Sequence, residues 1–108
     1  MPEIDNTFRA LADPTRRRII ELVAENGMTA GEIASHFDIT RPAVSQHLTV
    51  LRNAHLVVES RVGRTRIYHT NPETVDEVVR HLQSFWSDRL DELKRVAERE
   101  ERHHRAKH

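Results

Sequence analysis

The sequence contains no cysteine among its 108 residues, which excludes disulfides, thiolate metal sites and a thiol redox switch. Hydrophobic residues are also scarce, at 37 %, so the core must be small and a second copy is a natural way to bury more apolar surface. No apolar run approaches the roughly 20 residues that a membrane-spanning helix needs, and no signal-like segment opens the chain. We therefore expect a single cytoplasmic domain with no membrane partner.

The formal net charge is zero, which by itself argues weakly against nucleic-acid binding. The charges are unevenly distributed, however. Between Thr40 and Asn71 there are five arginines and a single acid, Glu59, which gives this segment a local charge of +4. Arginine suits bidentate contacts with phosphate and guanine, although a GC-rich genome would enrich arginine equally well.

Motifs typical of enzymes are missing. The chain has no Gly-rich phosphate loop, no Gly-x-Ser-x-Gly and no His-Glu-x-x-His. Ser45 and His47 resemble a nucleophile near a base, but residues two apart on a helix point in different directions. We therefore predict that the protein is not an enzyme.

The most informative segment is 40–52, which has the pattern of an amphipathic helix. Val44, Leu48 and Leu51 share one side at the i, i+4, i+7 spacing. The opposite side carries short polar groups that donate and accept hydrogen bonds and can approach a base edge closely. The residues on or beside that side are Arg41, Pro42, Ser45, Gln46, Thr49 and Asn53.

A second short helix is predicted directly upstream of this segment. Thr29 and Glu32 have the spacing of a capping box, which predicts a helix that continues to Phe37. Asp38 and Ile39 then connect it to the amphipathic helix, giving a helix-turn-helix pattern. In such a unit the second helix enters the DNA major groove.

A β-hairpin is predicted next, because residues 56–62 and 65–70 are rich in β-branched residues and flank a Gly63-Arg64 turn. Arginines lie around its tip, as expected of a DNA-binding "wing". Asp13-Pro14 and Asn71-Pro72 each combine a capping residue with Pro at the first helical position, which predicts two further helix starts.

The last predicted helix bears a continuous apolar stripe at 3–4 spacing, which we interpret as a dimerisation surface, the alternative being a helix packed into the core of its own chain. Its members are Val75, Val78, Val79, Leu82, Phe85, Trp86, Leu90, Leu93 and Val96. We predict a domain over 1–97 and a disordered charged tail over 98–108, where the stripe ends.

Together these segments resemble the ArsR/SmtB family of winged helix-turn-helix bacterial repressors. The resemblance rests on 8–16, 29–37, 41–51 and 63–68, and extends over nearly the whole chain. It implies a mainly α-helical fold with one β-hairpin. It also implies a homodimer joined through the terminal helices, and repression of a promoter that a ligand relieves.

Two sets of site residues follow from the pattern and the resemblance. Gln46 can pair with adenine and Arg41 with guanine or phosphate, while the wing arginines grip the backbone or minor groove. The predicted DNA-binding residues are Thr15, Arg16, Thr40, Arg41, Pro42, Ser45, Gln46, His47, Thr49, Arg52, Arg61, Arg64 and Arg66. The predicted dimer interface comprises Phe8, Leu11, Val75, Val78, Val79, Leu82, Phe85, Trp86, Leu90 and Leu93.

The metal sites of the family are not matched. Its thiolate sensors carry Cys-x-Cys in the first helix of the helix-turn-helix, and its other site needs Asp-x-His, whereas here Asp76 is followed two residues later by Val78. Nickel or zinc sensing through histidine and carboxylate stays an alternative. Its candidate ligands are Glu77, His81, His103, His104 and His108.

A second alternative is a winged helix that binds another protein instead of DNA. Such a surface would carry apolar anchors where this sequence has Arg64 and Arg66.

Overall fold

The computed structural model describes the backbone of residues 4–106 and the side chains of residues 4–102. This part of the chain is mainly helical with one β-hairpin, as predicted. Its elements are α1 (Ile4–Leu11), α2 (Pro14–Glu25), α3 (Ala30–Ala34), α4 (Arg41–Asn53), β1 (Val57–Val62), β2 (Thr65–Thr70) and α5 (Pro72–Ala106).

The helices begin where the capping residues predict. The Asp13 carboxylate accepts hydrogen bonds from the backbone N–H groups of Thr15 and Arg16, at 2.8 and 3.1 Å. Both halves of the Thr29–Glu32 capping box are formed at the start of α3. α3 ends earlier than predicted, because the backbone after Ala34 turns through tighter bonds, such as the one from the Phe37 N–H to the Ala34 carbonyl.

Two arginines of α2 fasten the end of α1. Arg16 donates from Nε to the Ala10 carbonyl at 2.6 Å and from Nη2 to the Arg9 carbonyl at 3.1 Å. Arg17 donates from Nη1 to the Leu11 carbonyl at 2.8 Å. The last carbonyls of a helix have no partner within it, so these guanidinium groups satisfy them and fix the corner between α1 and α2.

The core brings α2, α3, α4 and the hairpin together. Val44, Leu48 and Leu51 are all buried, which confirms the predicted apolar side of α4. The cluster around them includes Ile19, Ile33, Leu56, Val57 and Tyr68. Burial of these side chains holds α4 with its polar side outward.

The hairpin is joined to the helical body by backbone hydrogen bonds. Its register runs from Val57 opposite Thr70 to Val62 opposite Thr65. Met28 and Tyr68 exchange hydrogen bonds, with N–O distances of 3.2 and 2.8 Å. A Cβ at Gly27 would overlap the side chains of His69 and Ile67, so glycine favours this close approach of the hairpin.

The chain divides into two compact units between residues 76 and 77, and the predicted domain over 1–97 stays a prediction. α5 continues to Ala106, so the described part of the tail is helical where disorder was expected. Its Glu and Arg residues are good helix formers and attract each other three and four residues apart. Lys107 and His108 lie outside the described residues. No described helix has the length and apolar character that crossing a membrane requires.

The cap of α2 generates a prediction about stability and pH. Burial alone raises the pKa of Asp13, but the N–H groups of Arg16 and Thr15 and the nearby positive charges lower its pKa below the ordinary 3.8. Asp13→Ala should therefore lower the free energy of unfolding by about 0.5–2 kcal/mol at neutral pH, measured in urea. Asp13→Asn should retain most of this stability, because asparagine also caps well.

The same carboxylate should make the wild type sensitive to acid. A lowered folded-state pKa means that the stabilisation is present above the ordinary pKa and is lost as pH falls through the folded-state value. The stability difference between the wild type and Asp13→Asn should therefore shrink as pH falls below 3.8. A difference that stays constant on acidification would contradict this account of the cap.

Candidate nucleic-acid interface

A groove lies between the start of α4 and the wing. It encloses about 520 Å³, and polar and basic side chains dominate its walls. The residues around it are Thr29, Ala30, Arg41, Ser45, Arg64, Thr65, Arg66 and Tyr68. The fold thus brings two segments that the sequence separates, α4 and the tip of the hairpin, to one surface.

The outward side of α4 is exposed as predicted. Exposed residues there are Arg41, Pro42, Ser45, Gln46, Thr49, Arg52 and Asn53. Thr49 Oγ1 donates to the Ser45 carbonyl at 3.0 Å, so its hydroxyl hydrogen is already used. Thr40 Oγ1 accepts from the Ala43 N–H at 3.2 Å and so caps the helix. Arg41, Ser45 and Gln46 are exposed hydrogen-bonding groups of this face.

Two predicted DNA-binding residues at the start of α2, Thr15 and Arg16, have other partners in the structure. The side chain of Arg16 is only 18 % exposed, and its guanidinium binds the carbonyls at the end of α1. The backbone N–H groups of Thr15 and Arg16 bind the Asp13 carboxylate, whose negative charge disfavours a phosphate at the same place. The sequence predicted Asp13 as the cap of α2, but the DNA contacts predicted for Thr15 and Arg16 did not take this cap into account.

The side chain of His47 also has a partner within the protein. It is half-buried, and its Nδ1 lies 3.4 Å from Arg16 Nη1. This contact ties α4 to the start of α2. We therefore expect His47 to help orient α4, and its predicted contact with DNA stays a prediction.

The wing arginines occupy different positions. Arg64 is exposed at the turn next to Gly63, whose φ of 63° is the left-handed conformation that favours glycine. Arg61 and Arg66 lie directly opposite each other across the hairpin. Arg66 Nε is 3.4 Å from Glu59 Oε1.

Glu59 is a residue of this surface that sequence reasoning missed, since it entered only as one negative charge. Its other oxygen, Oε2, lies 3.3 Å from Arg52 Nη1, so one carboxylate joins α4 to the wing. The hairpin register was the signal that could have found it. Residues 59 and 61 point to the same face of a strand, where 66 and 68 lie opposite.

The predicted dimer residues fall into three groups. Phe8, Leu11 and Val75 are half-buried, with Leu11 packed against the core, and Val78 is buried. The other six are exposed apolar side chains on α5, namely Val79, Leu82, Phe85, Trp86, Leu90 and Leu93.

The aromatic pair in this stripe is ordered by local contacts. Phe85 and Trp86 meet edge to face with ring centroids 5.6 Å apart. The guanidinium carbon of Arg89 lies 5.3 Å from the centroid of the Phe85 ring. Trp86 nevertheless remains 55 % exposed, which leaves a large apolar surface facing solvent in the single chain.

The metal candidates are not assembled within the described part of the chain. Glu77 and His81 are exposed on α5, and no group of three possible ligands occurs among the described side chains. The side chains of His103 and His104, and all of His108, lie outside the described residues. Nickel or zinc sensing therefore stays a prediction from the sequence.

Comparison with known proteins agrees with this architecture. The family described as "Bacterial regulatory protein, arsR family" matches residues 13–58, which include α2, α3 and α4. The transcriptional repressor SdpR of Bacillus subtilis is 37 % identical over 82 residues, which cover 76 % of this chain and 91 % of the relative. The chain belongs to the ArsR family.

Two further similar proteins support the same conclusion. The transcriptional regulator Rv2034 of Mycobacterium tuberculosis is 41 % identical over 86 residues, covering 80 % of each chain. A crystal structure of a possible transcriptional regulator for arsenical resistance is 40 % identical and covers 79 % of this chain and 88 % of that one, with a TM-score of 0.69. This ArsR protein is a transcriptional regulator with a winged helix-turn-helix DNA-binding fold.

Two substitutions in this interface should have effects on DNA binding that can be told apart. Gln46→Ala should weaken binding to the preferred DNA site by about 1–3 kcal/mol and leave binding to unrelated DNA unchanged, since it removes a base contact. Arg64→Ala should weaken both, and should flatten the slope of log affinity against log salt by about 0.9, since it removes a phosphate contact. Fluorescence anisotropy with the two duplexes at several salt concentrations measures both effects.

Arg18→Ala is the control, because Arg18 is an exposed arginine of α2 that is paired with Glu21 at 2.9 Å. It should change neither affinity. Equal losses from Gln46→Ala on both duplexes would mean that Gln46 does not read bases.

Proposed function

We propose that this ArsR protein is a transcriptional repressor that binds an inverted-repeat operator as a homodimer. The observation that carries the proposal is the exposed polar side of α4 beside a basic wing, on one continuous surface. The polar side of α4 supplies hydrogen-bonding groups for base edges, and the wing supplies positive charge for the phosphate backbone.

In this arrangement α4 lies in the major groove. Gln46 is placed to bind the N6 and N7 atoms of adenine, and Arg41 to bind guanine or a phosphate at the start of the helix. Ser45 lies one turn from Arg41 and supports the same contacts. Arg61 and Arg64 of the wing reach the neighbouring backbone or minor groove.

The protein-interaction alternative is less well supported. It requires apolar anchors at the tip of the wing, where Arg64 and Arg66 are exposed instead. The positive charge of Arg64 suits a polyanion.

Dimerisation through α5 explains the exposed stripe in the second unit. At about 100° per residue, Leu82, Trp86 and Leu93 lie within one narrow face of the helix, and Phe85 and Leu90 flank it. An exposed apolar surface of this kind is typical of a protein interface. A solved winged helix-turn-helix domain from Mycobacterium bovis, which shares the fold at 22 % identity and a TM-score of 0.64, is described as homodimeric.

Repression follows from this geometry. Two copies joined through α5 present two recognition helices at a fixed separation, which matches the two halves of an inverted repeat. A ligand that changes the angle between the copies changes that separation and lowers the affinity for the operator.

Replacing Trp86 tests the dimer. Trp86→Ala should raise the dissociation constant of the dimer by at least about 30-fold, equivalent to about 2 kcal/mol, because a large aromatic near the centre of an interface contributes strongly. Operator affinity should fall with it, although Trp86 lies outside the DNA interface. Sedimentation velocity over a range of protein concentrations measures the association.

Asp91→Ala is the matched control, because Asp91 is exposed on the opposite side of α5. It should leave dimerisation unchanged. A wild-type chain that stays monomeric at micromolar concentration, or a Trp86→Ala variant that dimerises normally, would show that the stripe has another purpose.

A further inference from the structure

Glu59 is the centre of an ion-pair network that crosses the DNA-binding surface. Its carboxylate binds Arg52 of α4 through one oxygen, at 3.3 Å, and Arg66 of β2 through the other, at 3.4 Å. The Glu59 side chain is only 17 % exposed, whereas those of both arginines are about half exposed. The acid is thus largely enclosed while the arginines remain near the surface.

The network also resolves a conflict within the wing. Arg61 and Arg66 are directly opposite each other across the hairpin, and like charges in this position repel. Glu59 lies two residues from Arg61 on the same face of β1, so its negative charge offsets that repulsion. It is also the only acid in the sequence between Thr40 and Asn71.

The arginines of this segment therefore divide into two classes. Arg52 and Arg66 are held by Glu59, whereas among the described residues Arg41, Arg61 and Arg64 form no ion pair. A phosphate can bind the second class directly. To bind Arg52 or Arg66 it must compete with a carboxylate that is already in place.

We propose that Glu59 is a positioning residue that determines the specificity of DNA binding. It ties the end of the recognition helix to the wing and withholds two arginines from phosphates. The inference rests on the proposed function, since it assigns a role within the same DNA interface.

Specificity depends on Glu59 in two ways. Phosphate contacts carry no sequence information, so freeing Arg52 and Arg66 strengthens binding to any DNA. Loosening the wing relative to α4 disturbs the contacts with base edges, which only the operator offers. Loss of the carboxylate should therefore raise the affinity for unrelated DNA. The affinity for the operator should show no net gain.

Glu59→Gln tests this role, since it keeps the shape of the side chain and removes its charge. The probes are a duplex that the full-length protein selects from a random pool and a scrambled duplex of equal length. On the scrambled duplex the slope of log affinity against log salt should steepen by up to about 1.8, the effect of two additional phosphate contacts. The ratio of selected to scrambled affinity should fall by about tenfold, the discrimination that one base contact supplies.

Glu21→Gln is the control for charge. It removes the same negative charge from the exposed Arg18–Glu21 pair, which is not part of the segment between Thr40 and Asn71. It should leave the slope and the ratio at their wild-type values. Combining Glu59→Gln with Arg52→Gln and Arg66→Gln should return the slope to that of the wild type, because the freed charges are gone.

If Glu59→Gln does not fold, the single variants Arg52→Gln and Arg66→Gln still test the proposal. Neither should change the slope, because neither arginine contacts phosphate in the wild type. A slope that flattens by about 0.9 in each would overturn the proposal.

The inference and the proposed function fail in different ways. A wild-type protein that binds the selected and scrambled duplexes equally would overturn sequence-specific regulation itself. A wild type that prefers the selected duplex, with a Glu59→Gln variant of unchanged slope and ratio, would overturn only the role of Glu59.

Discussion

Burial of one side of α4 is the constraint on which the rest of the structure depends. Val44, Leu48 and Leu51 are held in the core formed with α2, α3 and the start of the hairpin. Because a helix is rigid, fixing these three side chains also fixes the direction of Ser45 and Gln46 on the other side. The direction of the reading surface is thus a consequence of the core.

The neighbouring elements place the wing beside the polar side of α4, so the surface has two parts. The hydrogen bonds between Met28 and Tyr68 fix the hairpin to the helical body, and the absence of a side chain at Gly27 lets it approach. Glu59 then connects the hairpin to α4. Arg16 and Asp13 perform the equivalent task at the corner between α1 and α2. Charged side chains thus hold the interface together as well as supplying its charge.

Most of the fold could be predicted from the sequence, because its signals are local. Caps at Asp13, Thr29 and Asn71 define helix starts through bonds to residues two or three positions away, and the apolar spacing in α4 defines its buried side. The candidate site could be predicted only in part. Whether an arginine faces DNA depends on its partners in space, and Arg16, Arg52 and Arg66 each have a partner that composition cannot reveal.

The end of α5 shows the limit of another kind of pattern. The loss of the apolar stripe after Val96 predicted a disordered tail, yet the helix continues to Ala106. An apolar stripe reports what a helix packs against, whereas helix formation itself also depends on intrinsic propensity and on charges one turn apart. In α4 the apolar stripe and the helix cover the same residues, whereas in α5 the helix continues beyond the end of the stripe.

We propose that two copies of this chain read an inverted repeat through α4 and the wing, and hydroxyl-radical footprinting of the protein on the duplex that it selects tests this proposal. We expect two symmetric protected regions, whose half-site centres lie about 10 base pairs apart or a multiple of that distance. Protection of a single, unrepeated half-site by one copy of the protein would contradict it.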